Sequence, residues 1–127
     1  MADTTPWDDR DLATVASTEE VGITSRRPDG SLRPFVTIWA VVAERSVYVR
    51  SAYGTDNGWF RRAVRSGTGA LRVGRAEHPV TFSPADDAVQ DAVDAAYLAE
   101  YAGYPSIVRG IVGPSWHAVT LRLDPLG

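Results

Sequence analysis

Apolar residues recur at every second position over several short stretches and at every third or fourth over two longer ones, so the chain reads as strands punctuated by a few helices. Residues 7 to 18 take the helical spacing, with Trp7, Leu12 and Val15 on the buried side, and this segment is expected to cover one end of what the strands build. Glu19 to Arg26 alternates as a strand, and Arg27-Pro-Asp-Gly-Ser31 carries turn chemistry. A second strand, Arg33 to Ala43, is the most apolar run in the chain. Glu44-Arg45-Ser46 turns it tightly into a third, Val47 to Ser51. Asp56 or Asn57 is placed to cap a short helix from near Gly58, which Ser66-Gly67-Thr68-Gly69 ends. Ala70 to Val73 and His78 to Ser83 form another hairpin around Gly74 to Glu77, closed by Pro84. Residues 86 to 102 set Ala88, Val89, Ala92, Val93, Ala96, Tyr97 and Tyr101 on one helical face, with Asp86, Asp87, Asp91, Asp94 and Glu100 making the rest anionic. Residues 104 to 114 hold many breakers and room for one helical turn. Trp116 to Leu123 alternates as the last strand. Six antiparallel strands, a short helix after the third and a long one before the last predict a mainly β (α+β) closed barrel with flanking helices.

Length narrows this to one domain over residues 1 to 127, with 1 to 18 as its N-terminal helical segment. Without cysteine, disulfides, thiolate metal sites and cysteine nucleophiles are excluded. No apolar run approaches the roughly 20 residues of a membrane span, and the acidic start lacks the order of a secretory signal, so a cytoplasmic location is expected.

Charge changes the picture more. All 13 basic residues are arginine, and residues 45 to 76 hold seven of them (Arg45, Arg50, Arg61, Arg62, Arg65, Arg72, Arg75) against one acid, Asp56, in a chain of net charge −3. The helix after the third strand carries Arg61, Arg62 and Arg65 beside no carboxylate, although a helix N-terminus favours negative charge. A phosphate at that helix start, held by backbone N–H groups and arginine forks, would balance it, with Arg50 and Ser51 at the preceding strand end. One positive site between acidic flanks suits a small anionic ligand and disfavours long nucleic acid.

Other candidate chemistry is sparse. His78 and His117, the only histidines, alternate with apolar neighbours as strand residues do, yet an imidazole titrates near neutrality and makes each a candidate for acid–base work. Neither has the neighbours of a metal site or a Ser-His-Asp triad, and no metal is expected. Trp39, Trp59 and Trp116 suit core packing, and Trp59 also suits stacking on a ring. The glycines of Gly67 to Gly74 follow a helix and enter a strand, the reverse of the dinucleotide fingerprint.

The order of elements and several motifs resemble the flavin- and deazaflavin-binding split β-barrel proteins, of the pyridoxamine-phosphate-oxidase and deazaflavin-dependent nitroreductase type. These motifs are Thr24-Ser-Arg-Arg-Pro-Asp-Gly30, Tyr48-Val-Arg-Ser-Ala-Tyr-Gly54 followed by Gly58-Trp-Phe-Arg-Arg62, the Arg72-Val-Gly74 to His78-Pro-Val80 hairpin, and Thr120-Leu-Arg-Leu-Asp-Pro125. The resemblance implies a homodimer that binds FMN or a deazaflavin (coenzyme F-420) and reduces a small aromatic or conjugated substrate. It implies a cofactor site of Arg50, Ser51, Tyr53, Gly54, Trp59, Arg61 and Arg62, and a substrate pocket of Trp39, Tyr97, Tyr101 and Tyr104. Tyr97 and Tyr101 join the two histidines as catalytic candidates. Deazaflavin-binding relatives generally offer a lysine after the third strand, where this chain has Ala52 and Tyr53, so the choice of cofactor stays open. A cofactor-free lyase, dehydratase or cyclase and a non-catalytic ligand-binding module also stay open.

Overall fold

In the computed structural model, residues 7–18, 20–51 and 58–126 are described. The elements are α1 (Asp9–Ala16), β1 (Val21–Ser25), β2 (Val36–Ile38), β3 (Ala40–Ala43), β4 (Ser46–Arg50), α2 (Gly58–Ser66), β5 (Thr68–Val73), β6 (Ala76–Pro84), α3 (Gln90–Glu100), α4 (Pro105–Val108) and β7 (Thr120–Pro125), with 3₁₀ turns at Asp87–Val89 and Pro114–Val119. All pairings are antiparallel, in the order β2-β1-β5-β6-β7-β4-β3. The outermost strands β2 and β3 are separated in sequence only by Trp39, so one bent segment supplies both edges and the sheet curls into a nearly closed barrel.

That bend accounts for seven strands where the alternation predicts six. At the break, the Tyr97 hydroxyl donates to the Trp39 carbonyl (2.9 Å) and the Tyr101 hydroxyl to the Ala40 carbonyl (3.2 Å). Two backbone acceptors thereby turn toward α3, and the indole of Trp39 stacks flat on Tyr101 with centroids 3.9 Å apart.

Alternation divides the apolar residues into two layers. Val47, Val49, Leu71, Val80, Leu121 and Leu123 point into the barrel, where Trp7, Leu12 and Val15 close one side and Trp59, Phe60 and Ala63 of α2 are also packed. Val41, Ala43 and Tyr48 point outward and meet Val89, Val93, Tyr97, Tyr101, Val108 and Ile111. Strands β3 and β4 are thus covered on both faces, which is why their sequence is so continuously apolar.

Local chemistry fixes the ends. Asp8 caps α1, accepting from the Arg10 N–H at 2.7 Å, and the Trp7 indole N–H donates to the Leu123 carbonyl at 2.8 Å. Gly67, at φ +75°, ends α2 by donating its N–H to the Ala63 carbonyl. A Cβ at Gly69 would lie 1.9 Å from the Thr24 carbonyl oxygen, so only glycine lets β5 approach β1 this closely.

The last predicted strand is corrected. Gly113 at φ +104° and Pro114 at the first helical position start a 3₁₀ turn through Val119, so Trp116 and His117 precede the strand, which begins at Thr120. The long helix is also shorter than its periodicity suggests. It begins as a 3₁₀ turn and ends at Glu100, and Asp94 turns inward from the face predicted to be solvent-exposed.

Candidate functional site

Arg50 alternates with Val49 and so emerges from β4 on the outer face, beneath α3. Its guanidinium is fully buried and well supplied with acceptors. Nε donates to Thr120 Oγ1 (2.9 Å), Nη1 to Asp94 Oδ1 (2.5 Å) and the Ile111 carbonyl (2.9 Å), and Nη2 to Gln90 Oε1 (2.9 Å). The group also lies over the Tyr97 ring, 5.6 Å from its centroid. Burial pushes the Asp94 carboxyl pKa up, but hydrogen bonds from Arg50, the Gly113 N–H and His117 outweigh it and hold the group below its ordinary value. His117 Nε2 sits 3.3 Å from Asp94 Oδ2, and the His117 carbonyl accepts from Gln90 Nε2 at 3.1 Å. Arg50 is therefore the centre of a strand-to-helix cross-link and does not join Arg61 and Arg62. Ser51, also buried, donates its N–H to the Val119 carbonyl.

The arginines of α2 face solvent. The helix buries Trp59, Phe60 and Ala63 and leaves Arg61, Arg62 and Arg65 exposed. Arg62 and Arg65 meet Arg26, Arg27 and Arg33 of the β1–β2 connection across a cleft of about 430 Å³, completed by Pro28, Gly30, Ser66 and Thr68. A smaller cavity of about 230 Å³ adjoins the helix start and is lined by Gly58, Arg61, Arg62 and Arg65. Among the described residues, neither has an acid in its wall and none of these arginines forms an ion pair.

The connection that carries three of them is well anchored. Asp29 accepts from the Ser31 N–H (2.9 Å) and hydroxyl (2.7 Å), Arg26 Nη1 donates to the Gly30 carbonyl (2.8 Å), and Arg27 Nη1 donates to the Leu32 carbonyl (2.9 Å). Arg33 differs, because its Nε is buried with no hydrogen-bond partner. A buried cationic donor left unpaired is costly, and an anion in the cleft would relieve it.

The remaining candidates scatter. Trp59 is buried in the barrel core, edge-on to Phe60 at 6.0 Å. Tyr97 and Tyr101 are buried with their hydroxyls committed to the Trp39 and Ala40 carbonyls, and Tyr104 lies tilted against Trp39 at 5.5 Å. This aromatic group belongs to the α3 layer and lines neither arginine cavity. His78 stands edge-on to Trp7 at 5.7 Å, with Asp11 4.0 Å away. Tyr53 and Gly54 lie outside the described residues. Among the described residues, no group of three acidic or histidine side chains could hold a metal, and no helix is long and apolar enough to cross a membrane.

Sequence reasoning missed Arg26, Arg27 and Arg33. The available signal was an Arg-Arg pair and a third arginine flanking Pro-Asp-Gly, but their meeting with α2 depends on β1 pairing with β5, which sequence order does not show.

A curled antiparallel barrel with a helix after its fourth strand is a split β-barrel fold. Solved structures with this fold include an F420-H2-dependent reductase (TM-score 0.60, 14% identity, covering 84% of this chain and 93% of that one). Others are an FAD- and haem-binding protein from Mycobacterium smegmatis (0.54, 14%, 99% and 69%) and an FAD-binding protein from Mesorhizobium loti (0.52, 13%, 97% and 91%). No curated protein matches in sequence. Residues 11–123 match the model of the uncharacterised bacterial protein family DUF2255, and the chain belongs to that family.

Proposed function

We propose that this protein binds a flavin-type cofactor by its anionic end in the arginine cleft and works as a reductase of a small aromatic or conjugated acceptor. The observation that carries this reading is the cleft itself, where Arg26, Arg27, Arg33, Arg62 and Arg65 converge with no carboxylate among the described residues of its wall. Five guanidiniums repel one another unless an anion sits among them, and the buried, unpartnered Arg33 Nε is a donor awaiting one. Relatives of the same fold that bind FAD or depend on reduced F420 support the flavin class. The bound cofactor would supply the hydride chemistry. This chain's part is to grip and orient the cofactor: Arg62 and Arg65 from α2 on one wall, the anchored β1–β2 connection on the other.

The test is titration of the purified protein with riboflavin phosphate and with the deazaflavin, followed by visible absorbance. Binding is expected for at least one, weakened about 100-fold or more by Arg62→Ala with Arg65→Ala, since charge-assisted hydrogen bonds contribute about 1.5–3 kcal/mol each. Absence of binding by either cofactor, or unchanged affinity in the double variant, refutes the reading.

A further inference from the structure

We infer that the cleft is built for a ligand with two anionic groups, seated on either side of the Arg62–Arg65 row, and not for one terminal phosphate. This rests on the reading that the cleft holds the cofactor's anionic end. The two cavities share Arg62 and Arg65, while Arg26, Arg27 and Arg33 belong only to the larger and Arg61 only to the smaller. A guanidinium presents five donors in a planar fork, so the shared arginines have donors enough for an anion on each side.

Charge matching points the same way. Among the described residues, six arginines and no acid line the two cavities. One phosphomonoester brings about −1.5 to −2 near neutral pH, leaving about four cations to repel one another over the first turns of α2 and the facing connection. A second anionic group in the smaller cavity lowers that repulsion where a single phosphate cannot reach.

Each cavity also has donors of its own. In the larger, Arg33 Nε is buried without a partner. The smaller opens on the start of α2, whose first N–H groups have no partner within the helix. A Cβ at Gly58 would stand 2.8 Å from Arg62 Nη1, so that guanidinium lies against the bare glycine at the helix start. Bareness at this position lets Arg62 lie between the cavities and serve both.

The ligand class is therefore a bis-anionic cofactor, either with a diphosphate or with a phosphodiester and a distant carboxylate. Equilibrium binding of FAD, of the deazaflavin F-420 and of riboflavin phosphate, followed by fluorescence at one ionic strength, separates the possibilities. The proteins to compare are the wild type, Arg33→Gln in the larger cavity and Arg61→Ala in the smaller. If Arg33→Gln loses the native melting transition, Arg27→Ala replaces it.

At least one of the two bis-anionic ligands should bind about tenfold or more tighter than riboflavin phosphate, and it should lose about tenfold in each single variant. Which of the two prevails identifies the source of the second charge. Equal or tighter binding of riboflavin phosphate, or indifference of the best ligand to Arg61→Ala while the larger-cavity variant weakens it, overturns the inference and leaves the flavin reading standing. Failure of all three ligands to bind overturns both.

Discussion

Replacing Asp94 with alanine removes the only carboxylate that faces the buried Arg50 guanidinium among the described residues. The arginine side chain has no exposure, and after the substitution its acceptors are neutral: Thr120 Oγ1, the Ile111 carbonyl and Gln90 Oε1. Leaving a buried charge uncompensated costs about 3–5 kcal/mol, a large part of the roughly 5–15 kcal/mol that holds a domain folded. At this chain length the loss corresponds to a fall in Tm of about 10–20 °C. Differential scanning calorimetry or chemical denaturation reads it directly. If charge is the cause, Arg50→Met combined with Asp94→Leu should recover most of the loss, because no ion then remains buried. A double variant no more stable than Asp94→Ala alone would refute the argument, as would a loss under about 1 kcal/mol for the single substitution. The pH dependence follows from the same pair. Asp94 has a folded pKa below its ordinary 3.8, so its contribution is complete above that value and is lost as the pH falls through the lower folded value. Asp94→Asn should lack this acid limb.

Three further outcomes are expected from equilibrium denaturation. Gly69→Ala should destabilise by about 3 kcal/mol or more, or prevent folding, because its Cβ would overlap the Thr24 carbonyl at 1.9 Å and no flexible side chain can yield there. Glu100 carries a buried, unpartnered Oε1, and burial raises its pKa from 4.5 to about 7; the folded state therefore holds this proton where the unfolded chain has lost it, and Glu100→Gln should flatten a decline in stability between about pH 4.5 and 7. Glu44 and Arg45 occupy left-handed backbone at φ 47° and 64°, so Glu44→Asn with Arg45→Gly should raise stability by about 1 kcal/mol, and a loss there would show that the exposed Arg45–Asp9 ion pair matters more than the strain.

Periodicity was a good guide wherever one face of an element is buried and the other wet. The buried side of α1, with Trp7, Leu12 and Val15, was legible, as were both hairpins and the arginine helix with its glycine stop. It failed where another layer covers the second face. The run from Arg33 to Ala43 reads as one strand because apolar residues continue through Trp39, yet two tyrosines from α3, some sixty residues on, draw the carbonyls at the break away from any strand partner. Trp116 to Val119 alternates like a strand, but Gly113 and Pro114 set the backbone helical before alternation can act. The aromatic residues meet for the same reason that they alternate: Trp39, Tyr97 and Tyr101 pack α3 to the barrel. A substrate pocket and a helix-to-sheet contact have the same sequence signature.

The arginines show most clearly what sequence alone leaves open. Arg50 and Arg62 lie in one basic stretch, and grouping them by nearness along the chain is natural. The pleat separates them, since a strand residue two positions beyond Tyr48 shares its outward face and is carried under α3, where Asp94, Gln90 and Thr120 wait. Arg62 is on a helix whose apolar side is spent on the barrel core, so its charge is left at the surface beside three arginines of the β1–β2 connection. One cation is neutralised within the fold and contributes to its stability. The others have no counter-charge within the described residues, and a cluster that the fold leaves unbalanced is where a ligand's charge has the most to add.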